Sequence, residues 1–423
     1  MKKWIALALA VVMVFAMAAC SQSPAPDADA PPTDNGSDAT APATDATPSD
    51  KTVITFAAQG DSTPGTQAVL DAFNASQDQY TVEWTQMTND SGSMRDQLIT
   101  SFRAGSSDYD VVSLDVVWAG EFAAAGYIEP IDSYMRDAGL SAADFNSGSM
   151  ASGSQAAKQY TLPFFPDLGL LYFRSDIVSP DDAAKLVAGN YTWDDLLAMA
   201  KAYKGQEGAA DGIVFQAKQY EGLICNANEF TGSWSDVQGG LTTMKAFTDS
   251  DATPADILNY TEAETHASFI NGNSVFARNW PYQYGMIKTD GTITTDQVSF
   301  APLPLGGSVG GWLLAINANS ANKDGAWALM DFIAGPEGQK VLSTQGGYLP
   351  GYNAVLDDPD VIASNEMLGS EGFQNALKTT IARPVSANYS KLSDDLQLAI
   401  HKYLSGSADI DSTVSAVNTA LTN

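Results

Sequence analysis

Cysteine, histidine and positive charge are all scarce in this chain. Its cysteines are Cys20 and Cys225 and its histidines His266 and His401, too few for a disulfide framework or a zinc site of the usual Cys/His composition. Lysine and arginine number 21 against 50 acids, a net charge of −29. So acidic a surface repels phosphate backbones and anionic lipid heads, which excludes nucleic acid as a partner. Long apolar runs are also missing, apart from Ile5 to Ala19, which is short against the roughly 20 residues a membrane span needs. No glycine-rich stretch ends in Lys-Ser or Lys-Thr, so the sequence offers no phosphate-binding loop of the ATPase kind.

The amino-terminal segment is informative. Lys2 and Lys3 precede the apolar stretch, and Met17-Ala18-Ala19-Cys20 closes it with small residues before a cysteine. This resembles the signal peptide of a bacterial lipoprotein, spanning 1–19 and cleaved before Cys20, whose sulfur takes the lipid. Ser21 to Asp50 holds six prolines, six aspartates and no aromatic residue. Such a segment buries too little apolar surface to offset the entropy of ordering, so 20–50 reads as a lipidated cysteine and a disordered tether reaching up to about 90 Å when extended. The expected location is outside the cytoplasmic membrane, held there by the lipid alone, on the cell surface or in the periplasm.

From Lys51 onward, apolar patterns alternate between strand and helix. Val53 to Phe56, Val82 to Gln86 and Asp110 to Asp115 read as strands; Gly65 to Phe73 and Ser93 to Arg103 read as the helices between them. Thr192-Trp193-Asp194-Asp195 has capping-box form, and Asn322 is placed to cap Lys323 to Ala334, which Gly335-Pro336 should stop. Such alternation predicts an α/β protein with parallel or mixed sheets covered by helices, and the length predicts two lobes. Ligands of these sheets sit beyond the carboxyl ends of strands, so the loops there are the ones to inspect.

Those loops bring rings, acids and arginines together. Arg278-Asn279-Trp280-Pro281-Tyr282 is expected after the strand Ser274 to Ala277, and Gly310-Gly311-Trp312 before the strand Leu313 to Asn317. Asp115 stands at a strand end, Asp167 before the strand Gly169 to Arg174, and Arg383 in a loop ahead of a carboxyl-terminal helix. A pyranose packs its carbon-hydrogen face on an indole or phenol, while paired hydroxyls suit a carboxylate or guanidinium. Taken singly, Trp280 or Trp312 is as readily core, Asp115 a helix cap, and Arg95 or Arg383 an ordinary ion pair. The conjunction carries the inference.

Ala104 to Val111 with Leu114 to Trp118, then Tyr220-Glu221-Gly222-Leu223 with Cys225-Asn226, then Arg278 to Tyr282 and Gly310-Gly311-Trp312, stand in a family's order. The chain resembles the sugar-binding proteins of ABC importers, solute-binding family 1, and most closely its trehalose/maltose-binding branch. The resemblance implies a two-lobed periplasmic-binding-protein fold with mixed sheets, hinge crossings and an interlobe ligand cleft. The lobes would comprise 51–165 plus 310–346 and 166–309 plus 347–423, with crossings near Pro163 to Leu168, Val309 to Leu313 and Gly346 to Pro350. It also implies that Arg95, Asp115 and Asp167 bond sugar hydroxyls, that Trp280, Tyr282 and Trp312 stack on rings, that Gly311 offers its backbone and that Arg383 supplies donors. Glu221 and Asn226 lie in a motif whose role could equally be loop structure. Phe165 stands where relatives often carry tyrosine, and Asp61 occupies a loop where some carry glutamate.

The implied function is capture of a neutral sugar, such as trehalose, maltose or a related oligosaccharide, by a monomer without cofactor or metal. The closed form would deliver it to permease subunits driven by a cytosolic ATPase. Two rivals remain. A secreted glycoside hydrolase needs facing carboxylates, and Asp115 with Asp167 could be imagined so; a glycan-sensing surface receptor would use the same cleft without transport. Gly306 to Gly310 also spells the Gly-x-Ser-x-Gly pattern of esterases, but the strand expected after it argues against a nucleophile elbow.

Overall fold

The computed structural model describes residues 51–384, 386 and 388–422; the expected signal segment, lipidated Cys20 and tether lie outside them. The first part of the chain alternates as its apolar pattern predicts: β1 (Thr52–Gln59), α1 (Gly65–Ser76), β2 (Tyr80–Met87), α2 (Ser91–Arg103) and β3 (Val111–Asp115). Then come β4 (Thr161–Leu168), β5 (Leu170–Arg174), α3 (Trp193–Tyr203), β6 (Asp211–Val214), α4 (Glu221–Phe230), α5 (Glu262–Ile270) and β7 (Ser274–Asn279). Beyond them lie β8 (Val298–Ala301), β9 (Val309–Ile316), α6 (Lys323–Ala334), α7 (Pro336–Gly346) and α8 (Tyr389–Leu404).

Two mixed sheets result. One has the order β2-β1-β3-β9-β4, the other β8-β5-β7-β6. Each is covered on both faces, as period-two alternation requires. In β1, Ile54, Phe56 and Ala58 enter one apolar cluster and Ala57 the opposite one. In β5, Leu171 and Phe173 face one layer, Leu170 and Tyr172 the other. Chain passage between the sheets is tight: β4 ends at Leu168 in the first and β5 begins at Leu170 in the second. Gly169 sits at this passage because a Cβ there would stand 2.0 Å from Glu229 Oε1.

Several local expectations need correction. Thr192 and Asp195 do form the capping box of α3. Asn322, however, makes no side-chain cap for α6; its amide turns toward Asp110 at 3.4 Å. Gly335-Pro336 ends α6 and also starts α7, since proline at the first helical position lacks only an amide that would be unpaired anyway. β7 runs on through Arg278 and Asn279, and β9 begins at Val309, so Gly310 to Trp312 lie within a strand rather than before one. Asp167 likewise belongs to β4.

Candidate functional site

Strand register assembles the site. At the end of the first sheet, Asp115 of β3 pairs with Trp312 of β9, and Trp312 pairs in turn with Phe165 of β4. Gly310 pairs with Asp167. Residues some fifty to two hundred positions apart in sequence thus share two rows separated by one residue on β9. Gly311 between them has φ of 120°, and a Cβ on it would meet the Phe165 carbonyl oxygen at 2.6 Å. Only glycine fits there without strain.

These rows open onto a cleft of about 390 Å³, within the usual range for small-molecule sites. Asp115, Asp167, Trp280, Tyr282, Gly311, Trp312 and Arg383 all line it. Arg95 does not. Its guanidinium bonds Glu121 at 2.6 Å and Asp96 at 3.0 Å, because the short helix Ala119–Ala124 presents a carboxylate to it first. Lining residues not nominated for the site from sequence include Gln59, Glu262, His266 and Tyr348.

Arg383 is already engaged. It donates through Nη2 to Asp115 Oδ1 at 2.6 Å and through Nη1 to Glu221 Oε1 at 2.9 Å, with all three side chains buried. Tyr389 and Ser393 of α8 donate to the same Glu221 carboxylate. Burial works against the charge on Arg383, and Asp115 and Glu221 outweigh it, so the guanidinium stays protonated. Asn226 is structural: its amide donates to Gln216 Oε1 and to the Gly222 carbonyl inside the protein.

The aromatic walls are braced. The Trp280 ring has the Arg278 guanidinium 4.1 Å from its centroid, and its indole N–H donates to Glu262 at 3.2 Å. Arg278 itself is buried and bound to Glu229, so it serves the wall and not the opening. Tyr282 meets His266 Nδ1 through its hydroxyl at 3.0 Å, and burial pushes the His266 pKa down, favouring the neutral ring. Phe165 stacks on Tyr348 with centroids 4.2 Å apart, and the Tyr348 hydroxyl donates to Asp61 at 2.7 Å. Asp61 also accepts the Thr63 and Thr66 amides, anchoring the wall to the start of α1.

Apart from Asp167, acids outnumber bases around this space: Asp61, Asp90, Asp115, Glu221 and Glu262 against Lys218 and Arg383. An anionic ligand is therefore repelled, whereas a neutral polyol finds acceptors. Among the described residues, the only hydrogen bond to the Asp167 carboxylate is from the Leu168 amide at 3.2 Å. Burial, reinforced by Glu262, pushes its pKa well above the carboxylate range, against the Leu168 amide and Arg278.

Two catalytic readings lose their geometry. Ser308 is fully buried, donates its hydroxyl to the Cys225 carbonyl and accepts from Asn228, so it is no exposed nucleophile. Asp115 is ion-paired with Arg383, so it does not stand as a free carboxylate facing Asp167. Burial also raises the Cys225 pKa, leaving an unreactive thiol. Among the described residues, no cluster of three or more His, Cys, Asp or Glu could hold a metal, and no helix is long and apolar enough to cross a membrane.

Comparison with known proteins bears on the family and the fold. Residues 59–340 match the family model described as bacterial extracellular solute-binding protein. A probable ABC transporter-binding protein of Deinococcus radiodurans is 31% identical over 336 residues, covering 71% of this chain and 76% of the relative. The maltotriose-binding protein of Pyrococcus abyssi is 27% identical over 305 residues, 68% of this chain and 64% of that one. Among solved structures, maltose-bound MalE3 of T. maritima superposes with a TM-score of 0.78 at 27% identity, covering 88% of this chain and 99% of that chain. The two-lobed architecture, the cleft between its sheets and the match over most of the chain make this protein a member of the bacterial extracellular solute-binding protein family.

Proposed function

We propose that this protein captures a neutral sugar outside the cell membrane and hands it to the permease of an ABC importer, tethered meanwhile through a lipid on Cys20. The observation that carries the reading is the cleft itself, where braced aromatic faces stand beside acceptor-rich, net acidic walls. Trp280, Tyr282 and Trp312 would offer stacking faces, Asp167 and the Asp115–Arg383 pair would bond hydroxyls, and Gly311 would admit the ring close to the backbone. A glucose disaccharide such as maltose or trehalose, or a short oligosaccharide, is the favoured ligand, supported by the maltotriose-binding P. abyssi relative and the maltose-bound T. maritima neighbour. Lobes 51–165 plus 310–346 and 166–309 plus 347–423 would close over it, with the closed form recognised by the permease. Arg95 is set aside as a ligand contact, being committed to Glu121.

Calorimetric titration with trehalose, maltose, sucrose and maltotriose tests the ligand class. At least one should bind, and the sugar should be recovered unchanged. Silence toward all four with a response to amino acids or peptides would overturn the class; steady release of glucose from maltose would favour a hydrolase. If the protein serves import, deleting its gene abolishes uptake of the bound sugar; uptake intact would favour the sensing receptor.

A further inference from the structure

The stretch Tyr220 to Asn226 drew attention in the sequence without acquiring a role, and the structure gives it one. We propose that α4, with Tyr220 at its start, is the positioning element of the cleft, fixing the Trp280 ring and the Arg383 guanidinium before any ligand arrives. The inference rests on the sugar-binding reading of the cleft.

Every residue of α4 is buried, although the helix carries Glu221, Asn226, Asn228 and Glu229. Polar groups kept inside must be matched, and here the partners belong to the site walls. At the first end, the Tyr220 hydroxyl donates to Glu262 Oε2 at 2.7 Å, while the other oxygen of that carboxylate accepts the Trp280 indole N–H. The same carboxylate therefore ties the helix start to the ring. At the far end, Glu229 binds Arg278 Nε at 2.8 Å, placing the guanidinium on one Trp280 face. Between them, Asn226 donates to Gln216 Oε1, which also accepts Arg278 Nη1 at 3.1 Å. Gly310 closes the benzo edge, since a Cβ there would stand 2.8 Å from Trp280 Cζ3. The indole is held at its N–H, at one face and at its far edge, and the ring lines the cleft.

The same helix holds the second ligand group. Glu221 in its first turn binds Arg383 and so orients the Asp115 pairing. Gly222 follows because a Cβ at that position would lie 2.1 Å from the Tyr220 hydroxyl. Glycine is a poor helix former, so its presence inside a helix is explained by the ring it admits. Side chains aligned before binding lose less freedom when the ligand arrives, which raises affinity without adding a contact.

The test uses the full chain. In the unliganded protein, the Trp280 indole N–H resonance, identified by its absence in Trp280→Phe, should move in Tyr220→Phe and in Gly222→Ala. An unmoved resonance in Tyr220→Phe would overturn the proposal. For the tightest binder among trehalose, maltose, sucrose and maltotriose, each variant should bind at least fivefold more weakly. Neither should add to the loss already caused by Trp280→Ala, because coupled residues are non-additive. Gly222→Ala should do this with its helix intact, alanine being the better helix former. Losses that add to Trp280→Ala, or affinity unchanged in Tyr220→Phe, would reduce α4 to ordinary core. If Trp280→Ala binds like the parent, or no sugar binds, the reading of the cleft fails, and the indole resonance alone then decides the role of α4.

Discussion

At the scale of single residues, the site is a set of commitments made before a ligand arrives. Arg383 cannot be removed lightly: Arg383→Ala would leave Asp115 and Glu221 facing each other in a buried space. Breaking such a pair costs about 3–5 kcal/mol, so denaturant titration should show a loss of that size. Arg95→Ala should leave sugar affinity within about twofold, because its guanidinium is committed to Glu121 and does not line the cleft. A tenfold loss would return Arg95 to the site. Asp167 gives a pH signature. Its pKa is raised in the native protein, so stability falls as pH rises from the ordinary carboxylate range through the native value. Asp167→Asn should therefore melt higher than the parent at neutral pH, with the gap closing in acid; a lower melting temperature at neutral pH would contradict that environment.

At the scale of elements, the strands did the assembling and sequence reading caught their cores better than their ends. β1, β2, β3, α1 and α2 follow from apolar periodicity alone. Strand ends were harder, because Arg278, Asn279 and Gly310 are polar or small and read as loop, yet register and burial extend the strands through them. Trp280 and Trp312 could be nominated from composition, since ring, acid and arginine together suggest a sugar. Glu262 could have been nominated too: Thr261 and Glu264 spell a capping box, which puts Glu262 in a first helical turn. Tyr348 and the commitment of Arg383 to Glu221 were not legible, for no local pattern announces contacts across so many residues. Gly311→Ala tests the role of β9: forcing a Cβ onto φ of 120° beside the Phe165 carbonyl should cost roughly 1–3 kcal/mol and disturb the Asp115–Trp312–Phe165 row. A change below a few tenths would mean the strand accommodates a side chain.

At the scale of the molecule, two sheets, each with its own apolar layers, leave one acidic, ring-lined space between them. Ligand shifts the open and closed forms only by its different affinity for each, so closure should follow how well a sugar touches both walls. If the ligand is the neutral sugar proposed, its affinity should hardly change between low and high salt, while a sugar phosphate should be rejected by the surrounding acids. Steep salt dependence would point to a charged ligand instead. The most direct measurement is a structure of the protein with the tightest-binding sugar of the panel. A pyranose should lie against the Trp280 face opposite Arg278, with hydroxyls on Asp167 and on the Asp115–Arg383 pair. A sugar seated elsewhere, with Trp280 untouched, would contradict it.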